Sequence, residues 1–534
     1  MTTTIAVEDQ PSTSNEKLGW ALVVICMAQL MVVLDSTIAN IALPYIGHDL
    51  DITQNNLQWI VTGYALAFGG LLLLGGRLAD LYGRRRIFML GLVLFSFASA
   101  LGGLAQNEAM LLGSRGLQGV GAAMAAPAAL ALISTTFPAG PLRNRAFSVY
   151  AALSGVGAAI GLILGGWLTG LEVSGLEGWR LTFLINVPIG LFAAFIAPRF
   201  LKESEPQHTA LDIPGAVSGT LGLTSLVYGL SRAGDSRYGW GDSVTIGTLV
   251  AAVVLLVAFV QIERTVKNPL LPLSIFASRA RATALVSMMI TPAAMFAMFF
   301  FLSLMVQNVM GYSSLRTGFA FLPFTFGMIA GATISSKLIA KVDPRWLAGT
   351  GTILAGMALF AFSRITVDDS PATLASLAAN GGFAGNDINY WTAIAPWVVL
   401  MSFGMGLTFV SMMLVAVHGI PDEDSGIGSG VLNTMQQVGG AIGLAALSTI
   451  AVHFTRERAA DISASMSGGG GTPSADVQQR ISDLVGQSAF TSGATHAFLV
   501  GAFMIWTASA IVWIFLNVKH HELVDEEAPE GVVV

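Results

Sequence analysis

Fourteen apolar runs, each long enough to cross a bilayer, constrain this chain more than any other feature. They lie at roughly residues 18–43, 57–77, 87–105, 110–136, 146–171, 181–200, 211–231, 244–262, 282–309, 316–338, 346–364, 391–416, 428–452 and 496–518. A helix needs about 20 apolar residues to span the hydrocarbon core. Lipid cannot satisfy an open strand edge, so runs of this kind fold as helices. Only 11% of the 534 residues are charged, against about 25% in a soluble domain. The expected class is an all-α polytopic membrane protein with both termini on one side. Pro44, Pro138, Pro344 and Pro421 fall in gaps between runs, where helices are expected to end.

The basic residues orient the bundle. Segments on the terminus side carry 17 Lys and Arg, and the opposite segments carry 8. The positive-inside rule therefore places both termini in the cytoplasm and the protein in the cell membrane. Residues 1–17 and 521–534 read as short cytoplasmic tails, and the start lacks the basic stretch of a signal peptide. Cys26 is the one cysteine, which excludes an internal disulfide or a thiolate metal cluster. Two long segments, 365–390 and 453–495, lie outside; the second holds Gly468 to Gly471 and many serines and reads as mostly flexible.

The short stretch Gly75-Gly76-Arg77-Leu78-Ala79-Asp80-Leu81-Tyr82-Gly83-Arg84-Arg85-Arg86 joins the second and third runs as a tight hairpin. It returns at an offset of 260 residues, where Ser335 to Arg345 repeat the basic hairpin with Lys337 under Arg77 and Ala340 under Asp80. A repeat at that distance gives two six-helix halves, 18–200 and 266–520, if two extra helices occupy 201–265. Duplicated halves around a central site are a transporter architecture.

Several side chains inside the runs need a chemical account. Asp35 follows fourteen uncharged residues, and an aspartate in an apolar helix is a candidate proton carrier; it could instead sit at the outer water boundary. Arg115, inside the fourth run, needs an anion, a dipole or water within the bundle. Asp35 is one candidate partner, and backbone carbonyls are the other. In the fifth run Gly157, Gly161 and Gly165 recur every four residues, with Gly166 beside them. They permit close helix approach, either as a static seam or as a surface that slides between transport states; sliding is the expectation. Met295 and Phe299 in the ninth run, with Asn40, Asn433 and Gln436, are candidate cavity residues. Lipid-facing packing and hydrogen bonds between helices account for them equally well.

The loop G-x-L-A-D-x-x-G-R-R closely resembles that between helices 2 and 3 of the major facilitator superfamily. There the resemblance implies that Asp80, with Arg84 and Arg85, latches the cytoplasmic side against a helix start of the other half. The loop is otherwise a topological anchor only. The run Leu34-Asp35-Ser36-Thr37-Ile38-Ala39-Asn40-Ile41-Ala42-Leu43-Pro44 looks like the first-helix motif of the fourteen-span drug:proton antiporters, and Arg115-x-x-Gln118-Gly119-x-Gly121 like the superfamily's fourth-helix motif, whose arginine is assigned to proton coupling. Gly157 to Gly166 is similar to the antiporter motif G-x-x-x-G-P-x-x-G-G, with Leu162 where the family usually has proline. Trp179 to Gly190 and Gly428 to Gly440 are also similar to segments of that family.

No Walker A lysine, H-E-x-x-H or G-x-S-x-G occurs, which excludes an ATP-driven pump acting alone and the proteases and lipases that use those motifs. The resemblance implies a carrier that exports amphipathic compounds in exchange for protons, without cofactor, metal or nucleic acid, as a monomer in the bilayer. Export of an endogenous lipid or a self-made antibiotic is the alternative cargo, and a membrane-embedded enzyme is the alternative class.

Overall fold

The computed structural model describes residues 13–138, 141–173, 175–204, 211–235, 237–420, 425–466 and 474–525. Most of the N-terminal tail, the end of the C-terminal tail, Pro421 and the run Gly468 to Gly471 lie outside them.

Seven helices build the first half: α1 (Thr13–Asp49), α2 (Gln54–Tyr82), α3 (Arg84–Gly103), α4 (Glu108–Thr136), α5 (Pro141–Thr169), and α6 (Gly178–Leu184) continued by α7 (Asn186–Phe200) as one broken span. Two helices follow, α8 (Ile213–Gly234) and α9 (Ser243–Thr265). The second half holds α10 (Arg279–Leu304), α11 (Ser314–Leu338), α12 (Pro344–Phe362), the short α13 (Pro371–Asn380) and α14 (Tyr390–Ala393), α15 (Ala395–Val417), α16 (Ser425–Met466) and α17 (Ala475–Phe515), with α18 (His520–Asp525) at the end. Among the described residues, thirteen helical stretches are long and apolar enough to cross a membrane. The 29-residue α5 makes the fourteenth. The fold is therefore two six-span halves with two extra spans between them in sequence.

Side-chain caps mark where helices start. Asn107, Asp212, Asp242, Ser278, Ser313 and Ser370 each accept from a backbone N–H one turn on, which satisfies donors the helix leaves free. Pro44 departs from expectation. It lies inside α1, which runs on to Asp49.

α2 packs on α16 and α5 on α11, and these pairs join the halves. α8 leans on both α2 and α16, while α9 packs on α8. Most of α9 lies on the surface, whereas most of α10 is buried, so α9 stands outermost. Its exposed Val250, Val253, Val254 and Val257 suit a lipid-facing surface. The helices central in sequence are peripheral in space.

The two ends of the bundle differ. At the end remote from the termini, one buried cluster runs through both halves, from Ile41, Leu43, Leu162 and Trp179 to Phe300, Met305 and Phe321. Toward the termini the core divides, with one cluster wholly in the first half and another built on the second. Hydrogen bonds agree: Ser303 Oγ donates to the Asn40 carbonyl at 3.0 Å, and Ser314 Oγ to the Gly166 carbonyl at 2.9 Å. The far end is closed.

The segment 453–495 is another correction. It is mostly helical, because α16 continues to Met466 and α17 begins at Ala475. A 42-residue helix is about 60 Å long, twice the hydrocarbon core, and must project beyond it. The projecting ends bind α13 and the turn before it, through Arg458–Asp369 at 2.7 Å and Arg480 Nη1 to the Ala378 carbonyl at 3.3 Å. Serine and glycine content concealed these turns.

Candidate functional site

Asp35 and Arg115 meet in the middle of the first half. Arg115 Nη1 lies 2.5 Å from Asp35 Oδ2, and the two side chains are 1% and 2% exposed. α1 and α4 bring them together across the half. A buried charge is tolerable only when paired and hydrogen-bonded, and each member here is. Asp35 Oδ1 accepts from Gln118 Nε2 at 2.9 Å and from Asn186 Nδ2 at 3.2 Å. Arg115 also donates to Gln118 Oε1 at 2.8 Å and, through Nε, to the Ile60 carbonyl at 2.8 Å. Its guanidinium stacks over the Tyr64 ring, 4.5 Å from the centroid, and Gln118 donates onward to Ser99 at 2.7 Å. Five spans, α1 to α4 and α7, thus contribute to one network around Asp35 and Arg115. Both candidate partners for Arg115, the acid and a backbone carbonyl, are used at once.

Chemically, this is a site that can exchange one bond for another. A protonated Asp35 loses its charge pairing, leaving Arg115 with the Ile60 carbonyl and Gln118. A partner removed from a buried pair costs several kcal/mol.

The glycines of α5 face two ways. A Cβ on Gly157 would meet Leu30 and Val33 at 3.2 Å, one on Gly161 would meet Thr37 and Leu34, and one on Gly165 would meet Ile38 at 3.0 Å. All are α1 residues, and they bracket Asp35. Gly166 turns the other way, where a Cβ would meet the Ser314 carbonyl at 2.6 Å; the Leu162 carbonyl likewise abuts Gly318. The three-glycine stripe is thus a seam inside the first half, and Gly166 with Leu162 is the contact between halves.

The basic loop closes on its own half. Arg84 pairs with Asp80 at 3.1 Å and reaches the Ala131 carbonyl at 3.4 Å. Glu203, beyond α7, accepts from the Arg85 backbone N–H at 3.0 Å, and Ser204 accepts from that of Arg84 at 3.1 Å. Together they cap α3 from a distance. Arg85 also donates to the Leu201 carbonyl at 3.1 Å. Gly83, at φ 100°, has the left-handed backbone that glycine tolerates, and a Cβ there would strike Glu203. Among the described residues, no hydrogen bond or ion pair takes Asp80 to the second half. In the second copy of the loop the carboxylate is Asp343, bound by Lys519 at 3.1 Å and by His520 at 2.9 Å.

The candidate cavity residues are dispersed. Asn40 lies at the closed far end, with its Oδ1 buried and unpartnered, and Ser303 beside it bonds Gln307 at 3.0 Å. Phe299 packs on Phe321 and Phe324, with ring centroids 5.5 and 4.7 Å apart, and Met295 is half-buried. Asn433 is exposed and donates to its own helix at Ser429. Gln436 reaches Met288 Sδ at 3.6 Å. No hydrogen bond or ring contact joins these groups among the described residues. Gln118, Asn186, Ser303, Gln307 and Glu203 carry structure that the motifs did not assign to them.

Comparison with known proteins accords with this architecture. Residues 25–444 match the family model of the Major Facilitator Superfamily. The puromycin resistance protein pur8 of Streptomyces alboniger is 38% identical over 96% of this chain and 94% of its own. The cephamycin export protein CmcT of Amycolatopsis lactamdurans is 37% identical over 80% of this chain and 84% of its own. The MFS-type transporter EfpA of Mycobacterium tuberculosis is 37% identical over 80% of this chain and 76% of its own. Among solved structures, a bacterial homolog of the human lysosomal transporter Spinster shares the fold at a TM-score of 0.65, covering 96% of this chain and 99% of that one at 16% identity. The chain belongs to the Major Facilitator Superfamily, a family of membrane transporters rather than enzymes.

Proposed function

We propose that this protein exports small amphipathic molecules across the cell membrane in exchange for protons, as a monomer with both termini in the cytoplasm. The observation that carries the reading is the sealed Asp35–Arg115 pair. An ionisable group inside the membrane is a functional site by default, and this one can change its charge only by gaining a proton. The excess of basic residues on the terminus side supports the orientation, which makes the closed far end the external gate. Alternation then proceeds by rocking of the halves: protonation of Asp35 loosens α1 from α4, and α1 carries Asn40, part of the far-end seam. Asp80, Arg84 and Arg85 serve the opposite state, in which the terminus end closes.

The names of the puromycin and cephamycin relatives support an antibiotic-like cargo. The second of these names also speaks of export, which supports outward transport. Purified protein in liposomes with an imposed pH gradient tests the proposal. Uptake of puromycin or of a fluorescent amphipath, chemically unchanged and abolished when the gradient is collapsed, is the expected result. Transport indifferent to the gradient overturns the coupling, and chemical conversion of the cargo overturns the carrier.

A further inference from the structure

A second buried acidic site lies outside both halves, between the extra helices. Asp212 caps α8, its Oδ1 accepting from the Gly215 N–H at 2.8 Å. Glu263, in the last turn of α9, accepts through Oε2 from the Leu271 N–H at 3.0 Å. The residues are 2% and 4% exposed. Each keeps one oxygen, Asp212 Oδ2 and Glu263 Oε1, that is buried and has no donor. Those two oxygens face each other across Gly215, since a Cβ there would meet Asp212 Oδ2 and, at 2.9 Å, Glu263 Oε1.

Among the described residues, neither carboxylate forms an ion pair with a Lys, Arg or His. The neighbouring Asp212 charge acts on Glu263. Arg264 and Lys267, its neighbours in sequence, are exposed. From α2, the side facing α8 presents Gly70 to Thr220, and the packing beneath is Leu73, Phe259 and Phe276. Two carboxylates that share a dry site cannot both be ionised. Two oxygens also fall far short of the six to eight that a calcium ion takes.

We propose that Asp212 and Glu263 form a second proton-binding site, in which one proton is shared between Asp212 Oδ2 and Glu263 Oε1. The proton turns a repulsive contact into an O–H···O⁻ hydrogen bond of the strong, charge-assisted kind. Its position gives it a mechanical role. Asp212 starts α8, which packs on α2 of the first half, whereas Glu263 grips Leu271, a residue buried in the core of the second half. Because α8 packs on α16 of the second half as well, the shared proton ties the two extra helices to the connection that leads into that half. It lies on other helices than Asp35.

Infrared difference spectroscopy on the full-length protein in lipid, at about pH 7, tests this. Glu263→Gln and Asp212→Asn are isosteric and keep the caps, and each is checked for an unchanged thermal midpoint. Each single variant is expected to lose one protonated-carboxyl C=O band, and the double variant is expected to lose that same band and no more. Asp35→Asn is expected to retain it. Loss of no acid band in either variant shows two ionised groups and overturns the proposal. Loss of two separate bands in the double variant shows two neutral acids and overturns the sharing. A change produced by exchanging sodium for potassium, in place of a proton band, overturns the proton in favour of a cation.

Discussion

Ser314 Oγ donates to the Gly166 carbonyl at 2.9 Å, a hydrogen bond that passes from the second half to the first at the end remote from the termini. The backbones come this close because position 166 has no side chain, so a Cβ there would meet the Ser314 carbonyl at 2.6 Å and Leu315 Cα at 2.9 Å.

Gly166→Val is accordingly expected to hold the far end open. Labelling of a cysteine introduced near Asn40 should rise about tenfold, a population shift worth roughly 1.4 kcal/mol, and turnover should fall. Equal labelling in variant and parent would mean that this seam does not gate.

Gly161 sits in a different contact, against Thr37 and Leu34 on either side of Asp35. Valine there overpacks a seam within one half, at a cost of about 1–3 kcal/mol. The thermal midpoint and cargo binding of purified Gly161→Val are expected to fall together. Intact binding with blocked turnover would instead make the stripe a sliding surface.

The clasp on α3 gives a third expectation. Glu203→Ala removes the acceptor of the Arg85 N–H and should destabilise the protein by about 1–2 kcal/mol, as loss of a helix cap does. Asp80→Asn removes a half-exposed pair within one loop, worth about 0.3–0.5 kcal/mol. Its effect on the thermal midpoint should be small, whereas labelling of the terminus-end mouth during transport should rise. The two variants compared in one denaturation series separate cap from latch.

Much of this was legible in the sequence, and the misses have physical causes. Run length and the rarity of charge dictate the fourteen spans, because lipid leaves the backbone few options. Asp35 and Arg115 stand out because each is a lone charge among apolar residues. Their companions do not stand out. Gln118 lies within the quoted fourth-helix motif and Asn186 within the sixth-run motif, yet a neutral amide gives no sign of which charge it serves until the helices are packed. Glu203 follows α7 as one more polar residue in a polar loop, and only the return of the chain to Gly83 makes it a cap. Pro44 was expected to end α1, but the helix continues through it to Asp49. The prolonged α16 and α17 were hidden because residues that pack on other protein outside the bilayer need not be apolar all round.

Asp343 supplies a pH test. Its carboxylate accepts from the His520 ring and backbone N–H and from Lys519, and these partners hold it well below the usual carboxylate range. A depressed pKa stabilises the folded state at pH values above the ordinary aspartate value of about 4, and the contribution is lost as pH falls through the lowered one. The C-terminal segment should therefore stay clasped at neutral and mildly acidic pH and release only in strong acid. Fluorescence of the adjoining Trp346–Trp513 pair, 4.8 Å between centroids, reports the release, and Asp343→Asn should show the released signal already at neutral pH. A release midpoint at or above the ordinary aspartate value would contradict the assignment.

The central claim is that Asp35 carries the coupled proton, and the most direct measurement is transport by Asp35→Asn protein in liposomes under two regimes. Asparagine keeps the shape and the hydrogen bond from Arg115 but cannot titrate. The account predicts that accumulation driven by a pH gradient disappears while exchange of labelled for unlabelled cargo, with no gradient imposed, continues. Gradient-driven accumulation equal to that of the unaltered protein would contradict it.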